Sequence, residues 1–568
     1  MTESHRTTID PVVLEIISHE LQSIPDQVEA DLTRTAFSPL IYEYKDYAVG
    51  LIDAQGRSIA LAQQGGPGFV VNLIGLGACE AMARHGDTLK PGDVIITNNP
   101  ATIGHHLNDV VMCAPIFDQG GRIAAFMGII AHWIDIGGRY PNSCSGTDTT
   151  EIFQEGLRLN SVHLRREGRP VAEVYSIIEA NSRLPEALLG DVEAQLAGCV
   201  KGAGLYAELM ARHGAETLTR AVAEIWERSA TEARAAVAAI PDGSYAMECF
   251  LDNDGLTLDQ TIPIRVVVHI SGSRFTVDFS NMSPQVPGPF NSGRHGGGEA
   301  CARIAFKYLI SPSSAANEGS FAPLEVILPP RTLLSAEVPA PLGRYSVPLP
   351  TVIDCIIGAM AKAMPDRCAA GHHASFGSYG FFGQHPDTGA FFSFFDTVHG
   401  GWGATASGDG IGPYKTMLHG DNRDIPIEVQ EALYPVQIES YAWRPDSAGP
   451  GQHRGGMGTI KSYVVTAPCT AQFAFERYGC PPWGLFGGQP GTPGWVEMER
   501  NDAERSVLLK ESDLPMAAGD RLHVFAGGGG GYGASGKRNR DAVQADLDSG
   551  LITDEHARTA YGRHTKQD

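Results

Sequence analysis

Residues 95–112 read I-I-T-N-N-P-A-T-I-G-H-H-L-N-D-V-V-M, and residues 131–138 read A-H-W-I-D-I-G-G. How these two runs are read decides the fold. Each is an apolar, strand-like stretch that meets a turn rich in Asn or Gly. The first places His106 and Asp109 three apart, and the second supplies His132 and Asp135. A rigid sheet can aim side chains from strand ends and the loops beside them, which is where sites usually lie. Two imidazoles and a carboxylate from adjacent strands can close around one divalent ion and leave positions open for water or substrate. Satisfied turn and core residues would give the same letters. On spacing alone both readings stand.

Working outward, Asp10-Pro11 reads as a helix N-cap followed by Pro at the first helical position. That helix is expected to run to Ala36, with an interruption at Ile24-Pro25. Residues 47–53 and the run G-R-S-I-A-L-A after D-A-Q-G read as a hairpin. A helix is expected over 69–85, and strands over 93–97, 110–117 and 122–132. Residues 172–239 read as mostly helical, and strands resume after Asp242-Gly243. Short helices are expected over 300–309 and 350–364. Beyond Ala374 the chain is rich in Gly and aromatic residues, and loops with short strands are expected. Residues 541–561 look like helix-turn-helix. The pattern predicts an α+β fold: mixed, β-rich and built of several subdomains. An N-terminal α/β half would carry the metal site, and a Gly/Pro-rich β half would follow. The expected divisions are 1–240, 241–540 and a helical tail, 541–568. No internal repeat is visible.

At 568 residues, 43% of them hydrophobic, the chain can bury a large core and more than one subdomain. Its formal net charge of −22 argues against nucleic acid or an anionic membrane as partner, since both need clustered cations. Ten cysteines are scattered, most of them in apolar runs and none as C-x-x-C. That usage suits reduced thiols in a cytoplasmic protein. The first residues are polar with no apolar signal core, and no window is long and apolar enough for a transmembrane helix.

Other motifs carry less. Gly531 to Lys537 has the spacing of a phosphate loop, but Arg538 stands where Ser or Thr would hold magnesium. A tight turn that lets backbones pack is the better reading, so any ATP must be bound by another chain. No G-x-S-x-G, H-E-x-x-H or Rossmann fingerprint occurs. Asp46, in Y-E-Y-K-D just before a strand, is a candidate to point into the same cleft as His106 and His132. Glu155, Arg158 and Arg183 read as buried ion pairs or substrate anchors. The loops around Asp396–Ala404, Asn422–Glu428 and Asp446–Gly458 read as structural turns, or as walls of the cleft.

Together these blocks resemble the hydantoinase B/5-oxoprolinase family. They are R-T-A-F-S-P-L-I-Y-E-Y-K-D-Y-A-V-G-L-I-D, N-N-P-A-T-I-G-H-H-L-N-D-V, A-H-W-I-D-I-G-G, F-Q-E-G-L-R, N-S-R-L-P-x4-G-D-V-E-A-Q, N-R-D-I-P-I-E, D-S-A-G-P-G-Q-H-R-G-G-M-G and A-G-G-G-G-G-Y-G. They stand in the family's order across nearly the whole chain. The resemblance implies a larger A-type partner subunit with an actin-like ATPase fold, which binds ATP and phosphorylates the substrate's amide or carbonyl oxygen. The B-type subunit would complete the reaction at a divalent metal, Zn, Mn or Fe. By motif, His106, Asp109 and His132 match the ligands, with Asp46 as a fourth, and these four would be the catalytic set. Asp135 then shapes the turn behind His132.

The resemblance implies an ATP-dependent hydrolase of cyclic amides: a hydantoin, 5-oxoproline or a lactam. The alternatives are the equivalent subunit of an ATP-dependent acetone or acetophenone-type carboxylase, or a non-catalytic scaffold for the ATPase. The chain departs from the common pattern N-D-P-x2-G-G-T-H-L-P-D at Asn99, Ile103 and His105. Trp133 also replaces a second His after His132.

Overall fold

The structure is a computed structural model that describes residues 9–63, 71–142, 146–420, 422–500 and 505–562. It is an α+β fold built on four sheets. The largest contains β1 (Tyr47–Asp53), β2 (Ser58–Leu61), β3 (Val94–Thr97), β4 (Asp109–Phe117), β5 (Ile123–His132), β6 (Val162–Arg166) and β7 (Arg169–Pro170). Their order is β2-β1-β5-β4-β3-β6-β7, and all neighbours are antiparallel. β1 is buried along its whole length and β4 along nearly all of it. Both faces of the sheet are covered, which is why these strands read as continuous apolar runs. Alternate residues of β4 enter different cores: Val110, Met112 and Ala114 pack with the helices Pro11–Thr35 and Pro185–His213. Val111 and Cys113 pack with the helix Val71–His85 on the other face.

The first helix spans Pro11–Thr35, and the Asp10 side chain caps it by accepting from the N–H groups of Val12 and Val13. The interruption expected at Ile24-Pro25 does not occur. The helix continues through Pro25 because Leu21, Ile24, Pro25 and Val28 are all buried against the sheet. Tertiary packing outweighs the local cost of the proline.

β8 (Gly243–Leu251), β9 (Ile262–Ser271), β10 (Arg274–Asp278) and β11 (Leu324–Ile327) form the second sheet, in the order β11-β10-β9-β8, with β11 parallel to β10. The helices Ala300–Ile310 and Leu349–Met360 pack together, and the second of them lies against β8 and β9. This core is continuous with one face of the first sheet: Ile74 and Val111 belong to the same apolar cluster as Val266 and Val352.

From Ser378 onward, strands are longer than the sequence pattern implies. They are β12 (Ser378–Gln384), β13 (Phe391–Thr397), β14 (Val436–Arg444), β15 (Gly458–Val465), β16 (Cys469–Ala474), β17 (Trp495–Glu499), β18 (Ser506–Leu508), β19 (Lys510–Met516) and β20 (Arg521–Phe525). They make two sheets, ordered β13-β12-β16-β19 and β14-β15-β20-β17-β18. Phe381, Phe394, Tyr463, Phe473 and Val524 fill the shared core. In β12, β13, β15, β16 and β20 burial on both faces hides the alternation that would have marked them as strands.

The run Ala526–Gly533 contains no strand or helix. It threads between other loops: Gly529 N–H donates to the Gly456 carbonyl at 2.9 Å and Gly530 N–H to Gly371 at 2.7 Å. A Cβ at Gly529 would sit 2.0 Å from the Trp402 carbonyl oxygen. Arg538, just past the run, is tied to both carboxylate oxygens of Asp409 at 2.7 Å and to Asp546 at 2.8 Å, which docks the tail helices. Among the described residues no disulfide forms, and no helix is long and apolar enough to cross a membrane. Cys144 lies outside the described residues. Gly529→Ala should destabilise the fold by about 1–3 kcal/mol through overpacking against backbone. Gly536→Ala, where a Cβ meets nothing within 4 Å, should be close to neutral. Urea unfolding of the two variants checks the difference.

Candidate metal centre

Three strand ends meet at one edge of the first sheet. Asp109 opens β4, His132 closes β5, and the two stand directly opposite each other in the antiparallel register. Asp46 immediately precedes β1, and its carbonyl accepts the His132 N–H at 3.0 Å. His106 arrives from the turn before β4. That turn is closed by the Ile103 N–H on the Asn99 carbonyl at 2.8 Å and the Gly104 N–H on the Pro100 carbonyl at 3.0 Å. His106, Asp109 and His132 are buried, and their ligand-type atoms all lie within 4.8 Å of one another. No other such group of three occurs among the described residues.

The Asp109 carboxylate divides its two oxygens. Oδ2 is held by Nδ1 of His105 at 2.8 Å and by the Tyr345 hydroxyl, which donates at 2.9 Å. Oδ1 faces Nε2 of His106 at 3.0 Å and Nδ1 of His132 at 3.3 Å. Burial alone would raise the Asp109 carboxyl. The His106 charge and hydrogen bonds from His105, His106 and His132 outweigh it, and hold the group well below the usual carboxylate range. The result is a buried anion with two imidazole nitrogens beside one oxygen, and with its other oxygen fixed from behind. That donor set fits a divalent first-row ion, and the His105 and Tyr345 contacts are the kind that orient a ligand.

Asp46 sits at the rim, its Oδ2 3.8 Å from Nδ1 of His132, outside the three-residue group. Asp135 turns away: it accepts the Arg183 backbone N–H at 2.6 Å and its guanidinium at 2.9 Å. Arg183 therefore pairs, half-buried, with the buried Asp135 carboxylate, while Arg158 stacks on Phe153 at 4.2 Å. A small cavity adjoins the triad. Its other walls include Arg344, Tyr345, Phe376, Phe395, His419 and Asn422. Of the three loops singled out in the sequence, only the one beginning at Asn422 reaches this cavity; Asn422 also bonds the carbonyls of Tyr44 and Lys45 beside Asp46. Asp396 is buried between Lys415 at 3.2 Å and Lys461 at 3.3 Å. The loop 446–458 packs instead on the glycine run.

Sequence reasoning missed Tyr345, Arg344, Phe376 and His419. Tyr345 is 236 positions from Asp109, and no local pattern marks it. Its placement depends on Glu155, which accepts the backbone N–H groups of Leu342 at 3.0 and 3.1 Å and of Gly343 at 2.8 Å.

A family model described as Hydantoinase B/oxoprolinase matches residues 10–535. A D-/L-hydantoinase subunit from Pseudomonas sp. (strain NS671) is 30% identical over 573 residues, covering 98% of this chain and 95% of that one. The crystal structure of ATP-dependent caprolactamase from Pseudomonas jessenii matches with a TM-score of 0.91 and 26% identity, covering 99% of this chain and 97% of that one. An acetone carboxylase, in its nucleotide-free structure, matches with a TM-score of 0.88 and 18% identity, covering 98% of this chain and 80% of that one. At that identity the likeness is one of fold.

Glu155 makes the cavity wall sensitive to pH. Burial pushes its carboxyl from 4.5 up to about 8, against the opposing hydrogen bonds from Gly343, Leu342 and Thr149. The unfolded chain ionises near 4.5 and the folded one only near 8, so this group's contribution is complete below 4.5 and is lost as pH rises toward 8. Glu155→Gln should flatten the fall in melting temperature across that window, as read by thermal unfolding in a pH series.

Proposed function

Because the chain belongs to the hydantoinase B/oxoprolinase family, we propose that it is the metal-bearing subunit of an ATP-dependent cyclic-amide hydrolase. Its substrate is a hydantoin, an oxoproline or a lactam, activated by phosphorylation on an A-type partner subunit. The observation that carries this reading is the Asp109 carboxylate, buried, anionic and flanked by two imidazoles, with its rear oxygen fixed by His105 and Tyr345. Similarity over nearly the full length to an ATP-dependent caprolactamase supports the choice of substrate class.

His106, Asp109 and His132 would hold the ion, with Asp46 as a fourth donor from the rim. A divalent ion there supplies Lewis acidity and a water with lowered pKa near neutral pH. The protein's own contribution is positioning. His105 and Tyr345 fix Asp109 so that Oδ1 faces the two imidazoles. Tyr345 also packs its ring edge-on to His106 at 4.7 Å, and Phe395 stacks on His132 at 6.3 Å. These rings limit how far the imidazoles can turn, and they line the cavity with apolar surface. An amide is a poor electrophile, and O-phosphorylation makes its carbon reactive. The phosphoryl donor would be ATP on the partner: in this chain Arg538 stands where a phosphate loop has Ser or Thr, and it is engaged with Asp409 and Asp546.

A ketone carboxylase subunit is the second reading, favoured by the shared fold with acetone carboxylase. Co-purification with the ATPase partner, followed by ATP-turnover assays over cyclic amides and ketones with and without bicarbonate, separates the two. Ring opening without bicarbonate is the expected result. Ketone-dependent ATP turnover that requires bicarbonate, with no amide opened, would sink the hydrolase reading. His106→Ala should strip the divalent metal, as read by elemental analysis, and abolish ring opening. Tyr345→Phe should weaken metal affinity by about 10- to 100-fold. A metal-free wild-type complex unaffected by His106→Ala would leave only a scaffold role.

A further inference from the structure

The cavity wall facing the triad carries another imidazole, His419. It is 2% exposed. Its ring stacks on Phe376 at 4.1 Å and 19°, and its Nδ1 lies 2.8 Å from the Thr416 hydroxyl. The backbone N–H of His419 also donates to the Thr416 carbonyl at 3.0 Å, so the turn holds the ring in place. Nε2 is buried and has no hydrogen-bond partner among the described residues. Since His419 lines the cavity, Nε2 is the polar atom it can present there. A buried polar atom without a partner is costly, so a polar group entering the cavity would relieve it. The groups acting on His419 from neighbouring elements are Lys415, His373, His399 and His372. Burial, reinforced by the Lys415 ammonium and those imidazoles, holds His419 well below the usual histidine range. The ring is therefore neutral near pH 7. In the tautomer that donates Nδ1–H to the Thr416 hydroxyl, Nε2 offers a lone pair.

Resting on the hydrolase reading above, we propose that His419 Nε2 touches the substrate and relays protons from the attacking water to the ring nitrogen. In the O-phosphorylated ring the reactive carbon is doubly bonded to nitrogen. Water attacks, an O–C bond forms, and the C=N electron pair moves to nitrogen, which receives one water proton through Nε2. The remaining hydroxyl proton follows the same route as the C–N bond breaks. The nitrogen leaves as NH2 and the carbon remains as an acyl phosphate, which a second water hydrolyses to carboxylate and inorganic phosphate. Without the second delivery the tetrahedral carbon loses phosphate instead. That regenerates the cyclic amide and consumes ATP with no ring opened.

This failure is measurable. His419→Gln, in complex with the ATPase partner, is assayed on 5-oxoproline, hydantoin and caprolactam for phosphate released and ring opened. Metal content and substrate binding by calorimetry are measured alongside. Metal and binding should match the wild type, ring opening should fall by about 100-fold, and phosphate released per ring opened should rise. His419→Asn is the second variant should the glutamine not pack. Unchanged rate and coupling in both variants would overturn the relay while leaving the metal centre intact. Loss of metal or of folding together with activity would make His419 a structural residue and also overturn it. If the wild-type complex opens none of the three rings, the hydrolase reading itself fails and the relay falls with it.

Discussion

The site depends on one register. Asp109 and His132 face each other because β4 and β5 pair antiparallel with no offset at that end. A slip of one residue between the two strands would put the two side chains on opposite faces of the sheet. β1 pairs with β5 in the same frame, Tyr47 opposite Ala131, and this delivers Asp46 to the same edge. Because both faces of these strands are buried, the register is specified by two cores at once. The three ends therefore form a rigid corner, and the turn that brings His106 to it is braced by its own backbone hydrogen bonds.

The far wall of the cavity is positioned by a different device. In the C-terminal half, loops pack backbone to backbone through glycines. Gly400 exchanges hydrogen bonds with Tyr414 at 2.9 and 3.0 Å, and the Trp402 indole donates to the Lys415 carbonyl at 2.8 Å. These contacts anchor the segment that continues to His419 and Asn422. Gly401 is in turn bonded to Gly527 at 3.0 Å, so the glycine run near the C-terminus supports a wall of the site from a distance. A side chain at these positions would push loops apart, and the displacement would reach the cavity.

Much of the first wall was legible in the sequence because its chemistry is local. His106 and Asp109 are three apart, and apolar runs beside turns marked β4 and β5 as strands that could bring His132 alongside. Of the second wall only the loop beginning at Asn422 was legible, as one of three candidate walls. Tyr345 and His419 sit in turns and loops with no periodicity, and they reach the site only through tertiary packing. Glu155 read as part of a buried ion pair or as a substrate anchor. Instead it accepts backbone N–H groups from residues 342 and 343, because an irregular turn leaves those donors without partners of its own. Likewise Pro25 marked a helix break by local rules, yet the buried face of that helix overrode it.

The departures from the common family pattern fall into the same division. His105 does not face the cavity; it lies against Asp109 and stacks on Tyr345 at 3.9 Å. Its ring needs a glycine opposite, since a Cβ at Gly296 would lie 2.1 Å from it. Asn99 bonds Glu80 at 2.7 Å, and Trp133 is fully buried with its indole N–H on Gln195 at 3.0 Å. Asn99, His105 and Trp133 thus each find a partner that the sequence supplies elsewhere, and Ile103 is buried in the apolar core. These positions lie behind the His106–Asp109–His132 triad and do not line the cavity. On the proposed cyclic-amide reading, discrimination between rings would then rest on Arg344, Tyr345, Ser346, Phe376, Ser378, His419 and Asn422, whose side chains of different size and polarity line the space in front of the triad. Comparing chains by the His106–Asp109 motif alone would miss that wall entirely.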